Sequence, residues 1–517
     1  MLTSWWSDLV PGLGDPAPSG INTLVAVAAV VVIVATLSVR LAHRTGLPTL
    51  LLYLALGLAI GESGLGVQFS DVELTQNLGL LALALIIAEG GLTTSWRTLR
   101  PALWPALLLA SVGVVVSVVV VGAGAHLLLG LDWRTSLLVG AVLSSTDAAA
   151  VFSVLRNLPL RGRVGKVVES ESAMNDPLAV IFVALLAEED WASATWWATG
   201  GQVVYQLVVG ALVGLAVGRG GQWLLERAAL PSSGLYPVAT LAFALLAYAG
   251  GVLLAASGFV AAYLAGLWLG NAPLPHRRAT VGFVESAALL AQMGLFILLG
   301  LLASPQRLPD VLVPALVVGV LLTFVARPLS VLVCMLPFRM PWREQAFLSW
   351  AGLRGAVPIV LATIPATAGV PGSQQIFDVV FVLVVVFTLV QAPALPFVAR
   401  RLRVEAAGDA QEMEVDSAPL DELRAELLQF TVVPGSRLAG VYLDELRLPA
   451  GAVVSLVVRQ GTPVVPDRST VLRTHDKVLV VADRDVRDRT EQRLRDVSRA
   501  GRLARWLDEP PPGPPAR

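Results

Sequence analysis

Two acidic residues, Asp147 and Asp176, each stand inside a long apolar run. Apolar residues at 137–139 and 141–143 precede Asp147 and 148–152 follow it; Asp176 leads into the apolar stretch 178–183. A carboxylate at membrane depth costs about 2.5–3.5 kcal/mol on insertion scales, so it is either neutralised by a partner or kept for a task. Other oxygens gather near Asp176. Ser172 lies one helical turn before it on the same face, Glu171 is close, and Asn175 is its neighbour. Pro177 has no N–H, which frees the carbonyl of Ala173. Carboxylate, hydroxyl and carbonyl oxygens are hard ligands that suit an alkali cation better than a soft metal. An acid held away from water can carry a proton or a cation but not both, so the chemistry expected here is competition between the two.

Further charges share this depth. Glu171, Arg327 and Arg354 would be costly alone, so pairing is expected, with Glu171 joined to Arg327 or to Arg354 as a structural ion pair. Glu89, at the inner end of the third span, either lines a cytoplasmic mouth or snorkels from a helix end. Two spans are not simple helices. Ser144, Ser145 and Thr146 interrupt the one holding Asp147, and Pro358 takes the helical partner from the carbonyl of Arg354 in the other. Irregular backbone at this depth is tolerated where it lines a cavity. A pair of interrupted helices in corresponding halves predicts an inverted-repeat transporter with a site at the midplane.

The elements that position these residues follow from composition. Of 517 residues, 55% are hydrophobic and 15% charged, whereas a soluble chain carries about 25% charged residues. Apolar segments near the ~20 residues of a membrane-crossing helix recur. The fold class is therefore an all-α polytopic membrane protein, and its surrounding partner is membrane lipid. Spans are predicted at about 21–39, 48–60, 76–90, 102–129, 135–155, 165–187, 202–224, 235–254, 257–270, 281–303, 310–333, 345–368 and 376–399. The intervening loops alternate between basic and not basic. Basic loops hold Arg40 and Arg44; Arg97 and Arg100; Arg156, Arg161, Arg163 and Lys166; Arg219 and Arg227; Arg277 and Arg278; Arg339 and Arg343; and Arg400, Arg401 and Arg403. The others hold acids, such as Glu188, Glu189 and Asp190, or a lone Arg134 or Arg307. Positive loops mark the cytoplasmic side, which puts the N-terminus outside and the C-terminus inside and requires an odd number of spans; thirteen satisfies this. The N-terminus shows no charged leader region, so the first apolar segment is expected to stay as a span.

The domain plan is an extracytoplasmic tail at 1–20, a membrane domain at 21–403, an acidic linker at 404–420, a small cytoplasmic α/β unit at 421–497 and a Pro-rich disordered tail at 498–517. In the α/β unit, strands are expected at 426–433, 452–458 and 477–482 and helices at 436–446 and 486–495. No G-x-G-x-x-G opens it, so a complete dinucleotide-binding fold is not expected. A unit this small gains from pairing with a copy of itself. Cys334, the one cysteine, excludes an internal disulfide, and His43, His126, His276 and His475 share no ligand spacing, so no cofactor is expected. A net charge of −1 gives no footing for a nucleic-acid partner.

The runs SSTDAAAV (144–151), ESAMNDP (171–177), ASGFVAAYLAGL (256–267), ARPLSV (326–331) and WAGLRGAVP (350–358) resemble the monovalent cation:proton antiporter-1 family. Within it the chain is most similar to NhaP-type potassium/proton antiporters, over about 20–400. The resemblance implies a thirteen-helix fold of the NhaA/NapA kind with crossed discontinuous helices, a homodimer, and a core domain that moves as an elevator in the bacterial inner membrane. By that resemblance Asp176 carries cation or proton, Asp147 and the Thr146 carbonyl lie on the crossed helix, Ser172 adds an oxygen, Glu171 pairs with Arg327, and Glu89 matches an acid near the inner cavity. The alkali ion would sit at Asp176, Ser172 and Thr146. Asn175 before Asp176, in place of a second aspartate, resembles the electroneutral, one-for-one type. Residues 421–497 are similar to the C-terminal lobe of RCK domains (TrkA-C), which accompanies potassium transport and often pairs to bind a small ligand, in some cases cyclic di-AMP; the exchanger as a whole is expected to serve pH homeostasis. Potassium is thus expected over sodium, with sodium/proton exchange as the near alternative.

Two other classes fit less well. An intramembrane aspartyl protease also needs two membrane aspartates, but Gly-x-Gly-Asp is absent around both. A potassium channel would need a filter such as Thr-Val-Gly-Tyr-Gly, which the chain lacks. No Ser-His-Asp set is credible either, because no histidine falls near the buried serines.

Overall fold

The computed structural model describes residues 19–501 apart from 46–47, 63, 65, 67–68, 70, 156–157, 159, 161, 189–190, 192–194, 229, 406–415, 421–424, 434 and 468. Residues 1–18 of the expected N-terminal tail, 406–415 of the expected linker, 502–517 of the expected C-terminal tail, and Arg156, Arg161, Glu189 and Asp190 lie outside the described residues. The chain divides into two compact units, 1–405 and 406–517.

The first unit is helical. Its elements are α1 (Ser19–Thr45), α2 (Thr49–Ile60), α3 (Val72–Thr93), α4 (Leu103–Leu129), α5 (Trp133–Val142), α6 (Ala148–Val154), α7 (Gly162–Ala187), α8 (Trp196–Arg227), α9 (Leu235–Leu253), α10 (Gly258–Asn271), α11 (Arg277–Leu302), α12 (Leu312–Phe338), α13 (Trp342–Trp350), α14 (Ala356–Leu361) and α15 (Ser373–Leu402). Among the described residues eight helices are long and apolar enough to cross a membrane, and four apolar helices are shorter: Val25–Arg40, Thr49–Ile60, Gly258–Asn271 and Ala356–Thr367. Polar residues mark the helix starts. Asp71 caps α3 through the Leu74 N–H at 2.8 Å, and Asp132 caps α5 through the Thr135 N–H at 3.0 Å. At the other pole, the Arg134 guanidinium donates to the carbonyls of Leu186, Ala187 and Glu188 at 2.8–3.0 Å. That one side chain satisfies carbonyls that the end of α7 leaves without helical partners.

The helices sort into two bundles. One is built on α10, which packs on α3, α8 and α9, while α11 packs on α2 and α3. Close approach of α3 and α10 depends on Gly266 and Gly270, spaced four apart: a Cβ on either would overlap the backbone of Ala88 or Leu92. The other bundle joins α4, α5, α6 and α7 to α12, α13, α14 and α15. It has a polar waist. α4 and α12 each contain one π-helical turn, Leu109–Gly113 and Leu322–Ala326, and the helices meet there. Ser117 and Ser330 share a hydrogen bond of 3.0 Å, Ser330 lies 3.1 Å from the Gly113 carbonyl, and the Cys334 thiol donates to the Leu108 carbonyl. The Gln391 amide on α15 donates to the Thr323 hydroxyl at 2.9 Å, inside the second π turn. π turns leave backbone groups off the regular ladder, and these side chains answer them. Between the bundles the packing is apolar: Ala173, Val180 and Val357 lie against the cluster of Leu83, Ile87, Phe259 and Tyr263.

The second unit is a five-stranded antiparallel sheet in the order β1 (Asp416–Leu420), β2 (Ala425–Thr431), β5 (Lys477–Asp483), β3 (Ala452–Arg459), β4 (Thr462–Val464), followed by α16 (Arg487–Ala500). Leu428, Phe430, Val457, Val478 and Val480 form its core with Leu494 and Val497 of α16. Asp476 is buried and receives two hydrogen bonds from Arg459, at 2.7 and 3.0 Å, and one from the Arg473 N–H. Burial works to raise its carboxyl, but the Arg459 and Arg473 contacts outweigh it and hold the group below the usual carboxylate range.

Four expectations need correction. The helix expected at 436–446 is a run of turns ending in a single 3-10 turn, Leu443–Leu446, because Gly440 sits at φ +90°. The linker expected at 404–420 is in part structured: Val404 is buried, Glu405 bridges Leu160, and Asp416–Leu420 is a strand. The tail expected from 498 begins inside α16, which runs to Ala500. The interruption expected at Pro358 is present, but Pro358 follows it and does not cause it. It falls in the first turn of α14, where proline is tolerated, and the break itself lies at 351–355.

Candidate ion site

The site lies where two broken helices cross. One break separates α5 from α6, and the other separates α13 from α14. They touch through backbone: the Asp147 N–H donates to the Leu353 carbonyl at 2.8 Å. Gly355 lets the two breaks come this close, since a Cβ there would overlap the Asp147 carboxylate. Asp147 is the N-cap of α6, with Oδ1 accepting from the Ala150 N–H at 3.1 Å. The Arg354 guanidinium donates to the Ser145 carbonyl at 2.7 Å. A negative group thus meets a helix N-terminus and a positive group meets the carbonyls following a helix C-terminus, the favourable sense of both dipoles. The Arg354 carbonyl accepts from the Thr388 hydroxyl of α15 at 3.1 Å.

α7 passes beside the crossing and carries the second acid. The Ser172 hydroxyl donates to the Thr146 carbonyl at 2.8 Å and accepts from the Ala148 N–H at 3.0 Å, so it spans the break. The Asn175 amide donates to the Thr146 hydroxyl at 2.6 Å. Ser145 donates to Oδ1 of Asp176. Thr146, Asn175 and Asp176 are all buried. Asp176, Asp147, Thr146, Ser172 and Asn175 are therefore brought together. Glu171 sits on the same helix and forms a two-pronged ion pair with Arg327, the second prong at 2.8 Å. Of the two arginines open to Glu171 by sequence, Arg327 takes it, and Arg354 turns to the crossing.

A cavity of about 430 Å³ reaches this cluster. Asp147, Asp176, Thr146 and Ser172 line its floor, and Glu89 and Thr93 of α3, Glu169 of α7 and Gln292 of α11 line its walls. Glu89 thus faces the same space as Asp176. It lies near the end of α3 that leads to Arg97 and Arg100. Three participants were not singled out in the sequence. Ser145 is indistinguishable there from Ser144. Glu169 reads as a helix-start acid beside Lys166. Gln292 is a lone amide in an apolar span, which is a usable signal.

Residues 29–401 match the transmembrane sodium/hydrogen exchanger family. The chain belongs to that family. Its members are cation/proton exchangers, transporters rather than enzymes, which removes the protease alternative. Residues 427–495 match the TrkA-C domain. The K(+)/H(+) antiporter NhaP of Alkalimonas amylolytica is 37% identical over 471 residues, covering 89% of this chain and 81% of its own. The Na(+)/H(+) antiporter ApNhaP of Aphanothece halophytica is 29% identical over 357 residues, 66% of this chain and 68% of its own. Among solved structures, the sodium proton antiporter MjNhaP1 of Methanocaldococcus jannaschii superposes with a TM-score of 0.64 at 21% identity, over 74% of this chain and 99% of that one. It shows the shared helical membrane fold.

Proposed function

We propose that the chain exchanges potassium for protons, one for one, with both competing for Asp176. The observation that carries this is the charge inventory of the buried site. On the bundle that carries Asp176, the cavity-lining Asp147 and Asp176 and the buried Glu171 stand with the buried Arg327 and Arg354, three carboxylates against two guanidiniums, while Glu89 and the exposed Glu169 lie along the cavity walls. One net negative charge is left when all are ionised. A single monovalent cation or a single proton neutralises it, so the site crosses the membrane uncharged with either load, and crossing empty carries the cost of a bare charge. Asn175 supports the same count by adding no second titrating group. Thr146, through its carbonyl, and Ser172 supply neutral oxygens beside Asp176, and Glu89 draws cations toward the cavity.

Thirteen spans fit the helices: the eight long ones, the short helices Val25–Arg40, Thr49–Ile60 and Gly258–Asn271, and the two broken pairs. Arginine placement supports a cytoplasmic C-terminus, with the cavity mouth on that side. The bundle carrying Asp176 moves against the bundle carrying Glu89. A second copy of the chain packs against the apolar outer faces of α1 and α8, where Val30, Leu37, Val204 and Leu212 are exposed. Potassium is preferred on the strength of the NhaP relative and the TrkA-C unit, which acts as a small-ligand regulator in the cytoplasm.

The test is proton flux in proteoliposomes with potassium, rubidium, sodium and lithium compared. Potassium and rubidium should drive exchange at least several-fold faster than sodium or lithium, and an imposed voltage of either sign should leave the rate unchanged. A voltage-driven rate would defeat the one-for-one count, and sodium preference would defeat the assignment of cargo. Chains ending at 405 should keep exchange and lose its dependence on pH or added ligand; a folded truncation with no flux would count against a regulatory lobe.

A further inference from the structure

We propose that Ser145 is a positioning residue for the transported ion: its hydroxyl tethers one oxygen of Asp176 so that the other is presented to the cavity. This rests on Asp176 being the carrier. Both residues are buried, Ser145 at 1% exposure and Asp176 at 8%, and the Ser145 hydroxyl donates to Oδ1. The donor is fixed from behind. Its own carbonyl is held by Arg354 at 2.7 Å, and the next two residues are pinned by Ser172, Asn175 and the Leu353 carbonyl. The neighbouring hydroxyls of the break are committed elsewhere: Ser144 donates to the Ala141 carbonyl at 2.7 Å, and Thr146 accepts from Asn175.

A hydrogen bond to a charged oxygen is roughly twice as strong as one to a neutral oxygen. The tether therefore favours the ionised, cation-ready acid over the protonated one. It also holds the carboxylate in one rotation. Arg354 Nε is buried without a partner, and a freed carboxylate would turn toward it and away from the cavity. The other charges bearing on Asp176 are Asp147 at the cap of α6, Arg354 itself, the Glu171–Arg327 pair on α7 and α12, and Glu169 and Glu89 along the cavity. Ser145→Ala leaves all of them in place.

The experiment measures the apparent KM for potassium and the maximal rate across pH in proteoliposomes of the full chain, for wild type, Ser145→Ala, Ser145→Thr and Ser144→Ala. Removing the tether should raise the KM about tenfold on the acidic flank and move the pH of half-maximal exchange up by about one unit, with the maximal rate within about twofold. Threonine, which keeps the O–H, should restore both, and Ser144→Ala should match wild type. Wild-type KM and pH profile in Ser145→Ala, or equal losses at positions 144 and 145, would overturn the proposal. If Asp176→Asn still transports, the carrier assignment fails instead. Should the alanine variant not purify folded, Ser145→Cys retains a weak S–H donor; an intermediate KM would support the tether and a wild-type KM would overturn it.

Discussion

Asp176→Asn should bring exchange down to the level of protein-free liposomes while the protein purifies as the wild type does. On the proposed reading the substitution removes the charge that the cargo trades with, and it barely changes shape. Ser145 can still donate to the amide oxygen that replaces Oδ1, so the anchoring contact on the carbonyl-bearing side survives. Asp147 lines the same cavity, but its Oδ1 is engaged by the Ala150 N–H at the start of α6, so it is not expected to take over. The expected loss is therefore in turnover and not in folding. It is read by cation-driven proton flux, with size-exclusion behaviour and melting temperature as controls. Turnover close to wild type would remove the basis for placing the exchange at this residue.

Glu171→Gln has the second large effect, and it falls on stability. The Glu171–Arg327 pair is 2% and 6% exposed. Deleting one partner strands the other: a guanidinium left buried without its carboxylate costs about 3–5 kcal/mol. The variant should melt well below wild type and yield little folded protein. Arg327→Met on top of it removes the stranded charge and fills much of the same volume, so the double variant should regain most of the lost stability. Equal melting of Glu171→Gln and wild type would show that the pair contributes nothing, and a double variant as unstable as the single would show that stranding is not the cause.

Much of this site can be read from the chain because charge inside an apolar run is rare enough to stand out. Asp147, Asp176, Glu171, Arg327 and Arg354 are visible for that reason alone. Depth, however, is one coordinate. It places Arg327 and Arg354 at similar levels without saying that α12 aims one at α7 while the loop before α14 sends the other to the crossing. Of the two serines, Ser144 lies in the turn that ends α5 and bonds back to Ala141, while Ser145 lies just past it, so the Ser145 contact is a product of tertiary structure. Pro358 reads as a mid-helix breaker when the helix is assumed to be continuous, although the chain has already broken at 351–355. In the small unit, Leu438, Val441 and Leu446 mimic a helical face, but Gly435 and Gly440 at positive φ turn the backbone instead. Asp416–Leu420 reads as a linker because its residues are polar and include Pro419; an edge strand accommodates both.

The hydrogen bonds and ion pairs that surround Asp176 all join elements of its own bundle, whereas the contact with α3 and α10 is apolar, Ala173, Val180 and Val357 on one side against Leu83, Ile87, Phe259 and Tyr263 on the other. Apolar faces break no hydrogen bond when they are displaced, and dispersion attraction given up at one position can be regained at another. In the proposed motion, shear along that face would sever none of the polar bonds described, which would keep the resistance between the two bundles low. On that reading the hurdle for each passage would be dehydration of the load, and a polar side chain placed in that face, such as Ala173→Asn, would act as a brake.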